Sequence, residues 1–387
     1  MSTSIDIVRL PILTSYAKTS VKRIFALDEK DNILDAQLTG DLSMGTNLRP
    51  IIVKKETSLE QLKWKRLAVD ANNMLYQFLS VIRLPDGSPL KDSRGNITSH
   101  LTGLAFRTTR LIAEHGILPV FAFDGKPPIL KADEIEKRNE IRKKYELEWR
   151  EAFEKRDYAK AFSKAVMTAR LTKHMADDAK LLLHLLGIPY VQAPSEAEAQ
   201  CAYMAMKGDV WAVNSRDYDS LLFGAPRLVR YVTISGSEFM PSRGVSRKLR
   251  PELIELREFL LRHEITREQL IDLAVLIGTD FNSGIRGIGP MKALKLIKRY
   301  GSLDQLPNDL RSQLPRNYAE IKEIFLKPSV THDYHLAYES TNEEGLLKFL
   351  CEEHDFSRDR VEKVIERMKG QSQSLKSQRE LEDWFDK

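Results

Sequence analysis

Short apolar runs that end in acidic residues constrain this chain more than any other feature. Arg66 to Val69, Leu118 to Phe123, Ile188 to Gln192 and Val210 to Asn214 are too short for ordinary helices and rich in β-branched or aromatic residues, and Arg227 to Thr233 reads as a fifth such run. Longer stretches of helical period separate them. Parallel strands need crossover connections, which helices supply, so the alternation predicts an α/β fold with a mostly parallel central sheet flanked by helices. In such open sheets the loops leaving the carboxyl ends of the strands share one crevice. Asp70 closes the first run and Asp124 the second, Glu196 and Glu198 follow the third, and Asp217 and Asp219 follow the fourth. Ser195 is placed to cap the helix that starts there. Asp280, in Gly278-Thr279-Asp280-Phe281, meets them from a glycine-rich turn.

A single Asp at a strand end is more often a turn or cap residue than a ligand. Acids at four separate strand ends, two of them in acid-X-acid pairs, are harder to explain that way. Seven carboxylates in one crevice raise one another's pKa and oppose folding unless cations compensate. An all-oxygen set suits hard divalent ions such as Mg²⁺ or Mn²⁺, whereas zinc usually calls for His or Cys. A pair of such ions, about 4 Å apart, stabilises both the attacking and the departing oxygen of a phosphoryl displacement, so the implied chemistry is phosphodiester hydrolysis. Glu196 and Glu198 do not share a face of a regular helix. An aspartyl-phosphate enzyme would want Asp-X-Asp directly after its first strand, where this chain offers Asp70-Ala71-Asn72.

Composition narrows the partners less than the motifs do. The 387 residues are 42% hydrophobic, enough for a substantial core, and the net charge is only +5, which by itself announces no nucleic-acid binding. Cys201 and Cys351 stand far apart in no ligand or redox spacing, and no apolar stretch reaches the length of a membrane span. The segment 126–180 is charged and helix-favouring, with Lys131, Arg138 and Arg142 at offsets that share one helical face. Asp133, Glu134, Glu136 and Glu140 are interleaved, so composition alone reads it as a solvated surface helix. From Pro251 to Tyr300 a helical pattern resumes, broken by Gly284, Gly287 and Gly289, with Lys292, Lys295, Lys298 and Arg299 behind the turn. Backbone amides at Gly287 and Gly289, backed by those lysines, suit phosphate binding without regard to sequence.

In this order, the segments Phe123-Asp124-Gly125-Lys126-Pro127-Pro128, Glu196-Ala197-Glu198-Ala199-Gln200, Asp217-Tyr218-Asp219-Ser220 and Gly278 to Phe281 resemble the flap-endonuclease family of structure-specific 5′ nucleases. The resemblance spans residues 44–387. It implies that Asp70, Asp124, Glu196, Glu198, Asp217, Asp219 and Asp280 bind two Mg²⁺ ions, with Mn²⁺ able to substitute. It makes 44–125 and 181–369 the two nuclease regions and turns 126–180 into a helical arch whose Lys131 and Arg138 act on the scissile phosphate. By the same similarity Tyr76 stacks on a base near the cut, and about 272–300 forms a helix-two-turn-helix that grips duplex DNA, with K⁺ at its carbonyls. The implied substrate is branched DNA with a 5′ flap, cut by a monomer during replication and repair.

The tail 370–387 is polar and then ends in Gln378, Leu381, Trp384 and Phe385, anchors that suit a partner's pocket. They resemble the peptide by which replication proteins bind the sliding clamp (PCNA). No basic tail follows, so the resemblance is closer to archaeal relatives, and the cytoplasm, around the chromosome, is the expected location. Family members usually begin with the Met-Gly found here as Met44-Gly45, and the expectation is that residues 1–43 are an upstream translation rather than an appendage. A related 5′ exonuclease, a junction resolvase and an inactive clamp-bound DNA scaffold remain as alternatives.

Overall fold

Seven strands form one sheet in the computed structural model, which describes residues 35–36, 45–84, 86–232, 236–240 and 245–370. In chain order they are β1 (Lys55–Glu56), β2 (Arg66–Asp70), β3 (Leu118–Phe123), β4 (Tyr190–Gln192), β5 (Ala212–Asn214), β6 (Arg227–Arg230) and β7 (Glu252–Glu255). Across the sheet the order is β1-β7-β6-β5-β2-β3-β4. Strands β6, β5, β2, β3 and β4 are mutually parallel, while β7 runs antiparallel to β6 and β1 antiparallel to β7. The chain builds outward from β2 in one direction through β3 and β4, then returns to lay β5 and β6 on its other side. That reversal is the topological switch point, and it opens a crevice beyond the carboxyl ends of β2 and β5.

Both faces of the central strands are covered, which explains their uninterrupted apolar character. Ala68, Val120 and Ala122 point into one core, and Val69, Phe121 and Phe123 point into another on the opposite face. Helices α1 (Ala71–Val81) and α4 (Lys173–Leu186) pack on the second face, with Leu75, Phe78, Leu182 and Leu186 buried there. Helices α5 (Ala197–Lys207), α6 (Arg267–Ile277) and α7 (Pro290–Tyr300) cover the first. Between β3 and α4 lie the long helix α2 (Ala132–Glu154) and α3 (Tyr158–Val166), folded as a hairpin by an edge-on contact of Phe153 with Tyr158 and a Lys164–Glu148 ion pair at 2.6 Å. Ala152 alone of α2's residues is buried, so α2 projects from the body rather than joining its core.

Local chemistry moved several boundaries. The run from Ile188 starts as a strand only at Tyr190, because Gly187 ends α4 in the left-handed region and the Ile188 amide bonds back to Leu183. The run from Arg227 stops at Arg230, where Tyr231 takes a left-handed φ of 62°. The helical pattern expected from Pro251 is interrupted by β7, whose Glu252 and Ile254 are buried in alternation with half-exposed Leu253 and Glu255. Ser195 does not cap α5; Glu196 occupies that position in extended backbone. A smaller sheet pairs Gly236–Met240 with Val245–Leu249, with Asp35–Ala36 alongside. Gln378, Leu381, Trp384 and Phe385 lie outside the described residues, as does all but that short strand of 1–43.

Candidate active site

The register of the sheet sets the positions of the acids. Asp70 is opposite Ala122 and Val69 is opposite Asn214, so the loops that carry Asp124 and Asp217 leave the same edge as Asp70. Asp70 also caps α1, accepting from the Asn73 amide at 3.0 Å. The next two side chains serve its neighbours: Asn72 Nδ2 donates to Asp124 at 2.7 Å and Asn73 Nδ2 to Asp217 at 2.5 Å. Asp124 additionally accepts from the Ala197 amide at 2.7 Å, which binds the β3 loop to the start of α5. Glu198, in the first turn of α5, accepts from Ser215 Oγ at 2.9 Å.

Two further donors come from the beginning of the described chain. The Thr46 amide donates to Asp219 at 2.7 Å and the Gly45 amide to Asp280 at 3.2 Å. Gly45 has φ +79°, and a Cβ there would stand 2.8 Å from Asp219 Oδ2. Both the backbone conformation and the space require glycine. The sequence marked Gly45 only as part of a start signal and Thr46 not at all, since a backbone amide leaves no compositional trace.

Charge divides the cluster. Burial raises the carboxyls of Asp70 and Glu198 well above the usual range, and the neighbouring acids add to it, Asp124 and Asp217 at Asp70, and Asp219, Asp217 and Asp70 at Glu198. Burial, followed by the charge of Asp219, pushes Asp217 up to about 7; burial and Asp280 push Asp219 up to about 6. Glu196 is raised mainly by burial, against the pull of Lys131. Asp280 is the exception: burial would raise it, but Lys131 and Arg138 together hold it below its ordinary value. Arg138 Nη2 stands 2.6 Å from Asp280 Oδ1, and Lys131 Nζ bridges Glu196 and Asp280 at 2.5 and 3.2 Å. Lys131 itself is raised, because Asp280 and Glu196 outweigh the effect of its burial.

Sequence comparisons place the arrangement. The XPG N-terminal domain matches residues 43–145 and the XPG I-region matches residues 187–280, ending on Asp280. Flap endonuclease 1 of Pyrococcus abyssi is 52% identical over 88% of this chain and 98% of its own. The chain belongs to the flap endonuclease family. Among solved structures, flap endonuclease-1 from Methanococcus jannaschii superposes with a TM-score of 0.67 at 44% identity, over 84% of this chain and 98% of that one. The catalytic core of Rad2 in complex with DNA substrate follows at TM-score 0.61 and 26% identity, over 81% of this chain and 96% of that one. The protein is thus a structure-specific 5′ nuclease, a metal-dependent hydrolase of phosphodiester bonds that acts on DNA.

The residues present fit a divalent cation in their chemistry. The donors are all oxygens, the four that line the floor of the crevice are buried (Asp70, Asp219) or half-buried (Glu198, Asp217) with raised carboxyls, and buried Asn72 Oδ1 and Gln77 Oε1 beside them have no hydrogen-bond partner. Among the described residues, no three His, Cys, Asp or Glu side chains already stand together as a formed metal site. Lys131 lies between Glu196 and Asp280.

The remaining candidates divide into near and far. Tyr76 is half-buried on α1 and outside the hydrophobic clusters, whose side of that helix is filled by Met74, Leu75 and Phe78. Lys131 ends a 3₁₀ turn just before α2, Arg138 and Arg142 follow one turn apart on that helix, and Lys131 and Arg138 both reach Asp280. Arg142 Nη1 donates to Asn139 at 2.8 Å on its own helix instead of joining the carboxylates. The glycine turn is tied to α2 by Lys137 Nζ, 3.0 Å from Ser283 Oγ. Within that turn Ile285 and Ile288 are buried, whereas Gly287, Gly289, Lys292 and Lys295 are exposed on one side at the start of α7. No helix among the described residues is long and apolar enough to cross a membrane.

Proposed function

We propose that this protein removes the 5′ flap of branched DNA near its junction with duplex, in replication and repair, with Mg²⁺ as its working cation and Mn²⁺ able to substitute. The observation that carries the reading is the contact of two fixed cations, Lys131 and Arg138, with carboxylates at the switch point of the sheet. Asp70, Asp124, Glu196, Glu198, Asp217, Asp219 and Asp280 would hold the cations, which supply activation of water and stabilisation of the leaving oxygen. Lys131 and Arg138, on entry of a scissile phosphate, exchange carboxylate for phosphate oxygens and offset the negative charge that grows during displacement. Asn72, Asn73 and Ser215 keep the carboxylates oriented meanwhile. Tyr76 offers a ring for stacking on the base beside the cut.

Away from the cut, exposed Lys292 and Lys295 and the amides at Gly287 and Gly289 grip the duplex backbone, with K⁺ bound in the turn. Gln378, Leu381, Trp384 and Phe385 dock on the sliding clamp, and the nuclease works in the cytoplasm as a monomer until it does. Cleavage of matched flap, nicked and four-way DNA tests the reading. A 5′ flap is the expected preferred substrate, and faster cutting of the four-way junction would instead assign the chain to junction resolution.

A further inference from the structure

Thr46 stands out among the buried polar groups near the acids. It is 2% exposed and its amide is committed to Asp219 at 2.7 Å, while its hydroxyl lies beside the same carboxylate and helps to hold its pKa down without making a hydrogen bond of full geometry. A buried hydroxyl whose hydrogen bond is poorly formed is destabilising unless some state of the protein completes it. The neighbouring carboxylate is held tightly: the Gly45 backbone packs against Asp219 Oδ2 and the Gly45 amide reaches on to Asp280. Residues 45 and 46 therefore form a bracket across two neighbouring acids. A carboxylate offers about four lone-pair positions, and the Thr46 amide fills one of them on Asp219.

We infer that Thr46 is a positioning residue for the divalent-cation site, its hydroxyl completing the hold on Asp219 when a cation draws that carboxylate into coordination. The inference rests on the metal reading above. Outer hydrogen bonds of this kind orient a ligand and commonly change metal affinity by about ten- to a hundredfold when removed. Thr46→Val keeps the shape and removes the hydroxyl, whereas Thr46→Ser keeps the hydroxyl and removes the methyl.

Calorimetric titration of the full chain with Mn²⁺ alone, without DNA, reads the effect directly, and thermal unfolding of each metal-free variant checks the fold. Weakening of Mn²⁺ binding by about tenfold in Thr46→Val, with Thr46→Ser within about twofold of the parent, is the expected result. Flap cleavage by Thr46→Val should then recover at high Mn²⁺, with KM for DNA unchanged. Parental affinity in Thr46→Val would overturn the inference, and so would equal weakening in both variants, which would assign the role to the methyl group. Should Thr46→Val not fold, Thr46→Ala takes its place in the same comparison with Thr46→Ser. A parent that binds no Mn²⁺ would instead remove the metal reading itself.

Discussion

The floor and the rim of the carboxylate cluster are built from the same residue type and behave in opposite ways. On the floor, Asp70, Glu198, Asp217 and Asp219 face one another at the ends of β2, β5 and α5, and burial raises all four. At the rim, Asp280 faces Lys131 and Arg138 and is lowered despite comparable burial. Burial alone therefore does not set the charge of an acid here; the nearest opposite charge does. Arg216 and Arg230 offset the charge of Asp217 only in part and the floor acids make no ion pair among the described residues, whereas the rim carries a built-in pair that a phosphate can displace.

The largest effect should come from the floor. Asp217→Ala is expected to lower flap cleavage on the order of 10³-fold or more, measured by single-turnover rates at saturating DNA, because it removes charge at the centre of the hydrolytic site. An active Asp217→Ala enzyme would mean that the floor does no chemistry. At the rim, Lys131→Ala should cost about 10²-fold in rate with DNA binding largely retained, since the donor it removes acts on developing charge. A loss confined to binding would make the rim a mere clamp.

Protonation sharpens the contrast. Asp217 sits at about 7 in the folded chain, against about 3.9 when unfolded. Between those values the folded state holds more protons, so its contribution to stability is full at low pH and is lost as pH rises toward 7. His100, buried and lowered to about 3, works the other way by favouring higher pH, so a single melting curve mixes the two. The difference between variants does not. Without metal, Asp217→Asn should match the parent near pH 4 and gain on it steadily up to about pH 7, then level off, in calorimetric Tm. A gap independent of pH would show that the floor is not strained by its own charge. The smallest effect belongs to Arg142, whose bond to Asn139 leaves it outside both groups; Arg142→Ala should change the rate by no more than about threefold while weakening DNA binding slightly.

The sequence foretold the two parts of the site unequally. Leu118 to Phe123 is a strand over those very residues, and the acids after each core run share one crevice, because β-branched runs and strand-end loops follow from local sterics and from the twist of parallel sheets. Offsets alone could not show that Lys131 lies on a 3₁₀ turn ahead of α2, nor that Arg142 bonds to Asn139 while Lys131 and Arg138 both reach Asp280. Strand β1 consists of Lys55 and Glu56 only, an edge piece with no apolar signature to read. Asn72 appeared only as a neighbour of Asp70 and Gly45 only in a start signal, while Asn73 and Thr46 carried no signal. Their contribution is a hydrogen bond to a partner far away in sequence, and such bonds exist only once the fold does.

The bracket at Gly45 and Thr46 also bears on how the enzyme comes into being. Gly45 and Asp280 are separated by 235 positions, and Asp70, Asp124, Glu196 and Asp217 are strung between them. A nascent chain still short of Asp280 on the ribosome has no complete set of acids, and a fragment released by premature termination or proteolysis in that interval has none either. On the proposed assignment of the acids, a chain short of Asp280 therefore lacks a cation ligand together with the carboxylate that Gly45, Lys131 and Arg138 hold.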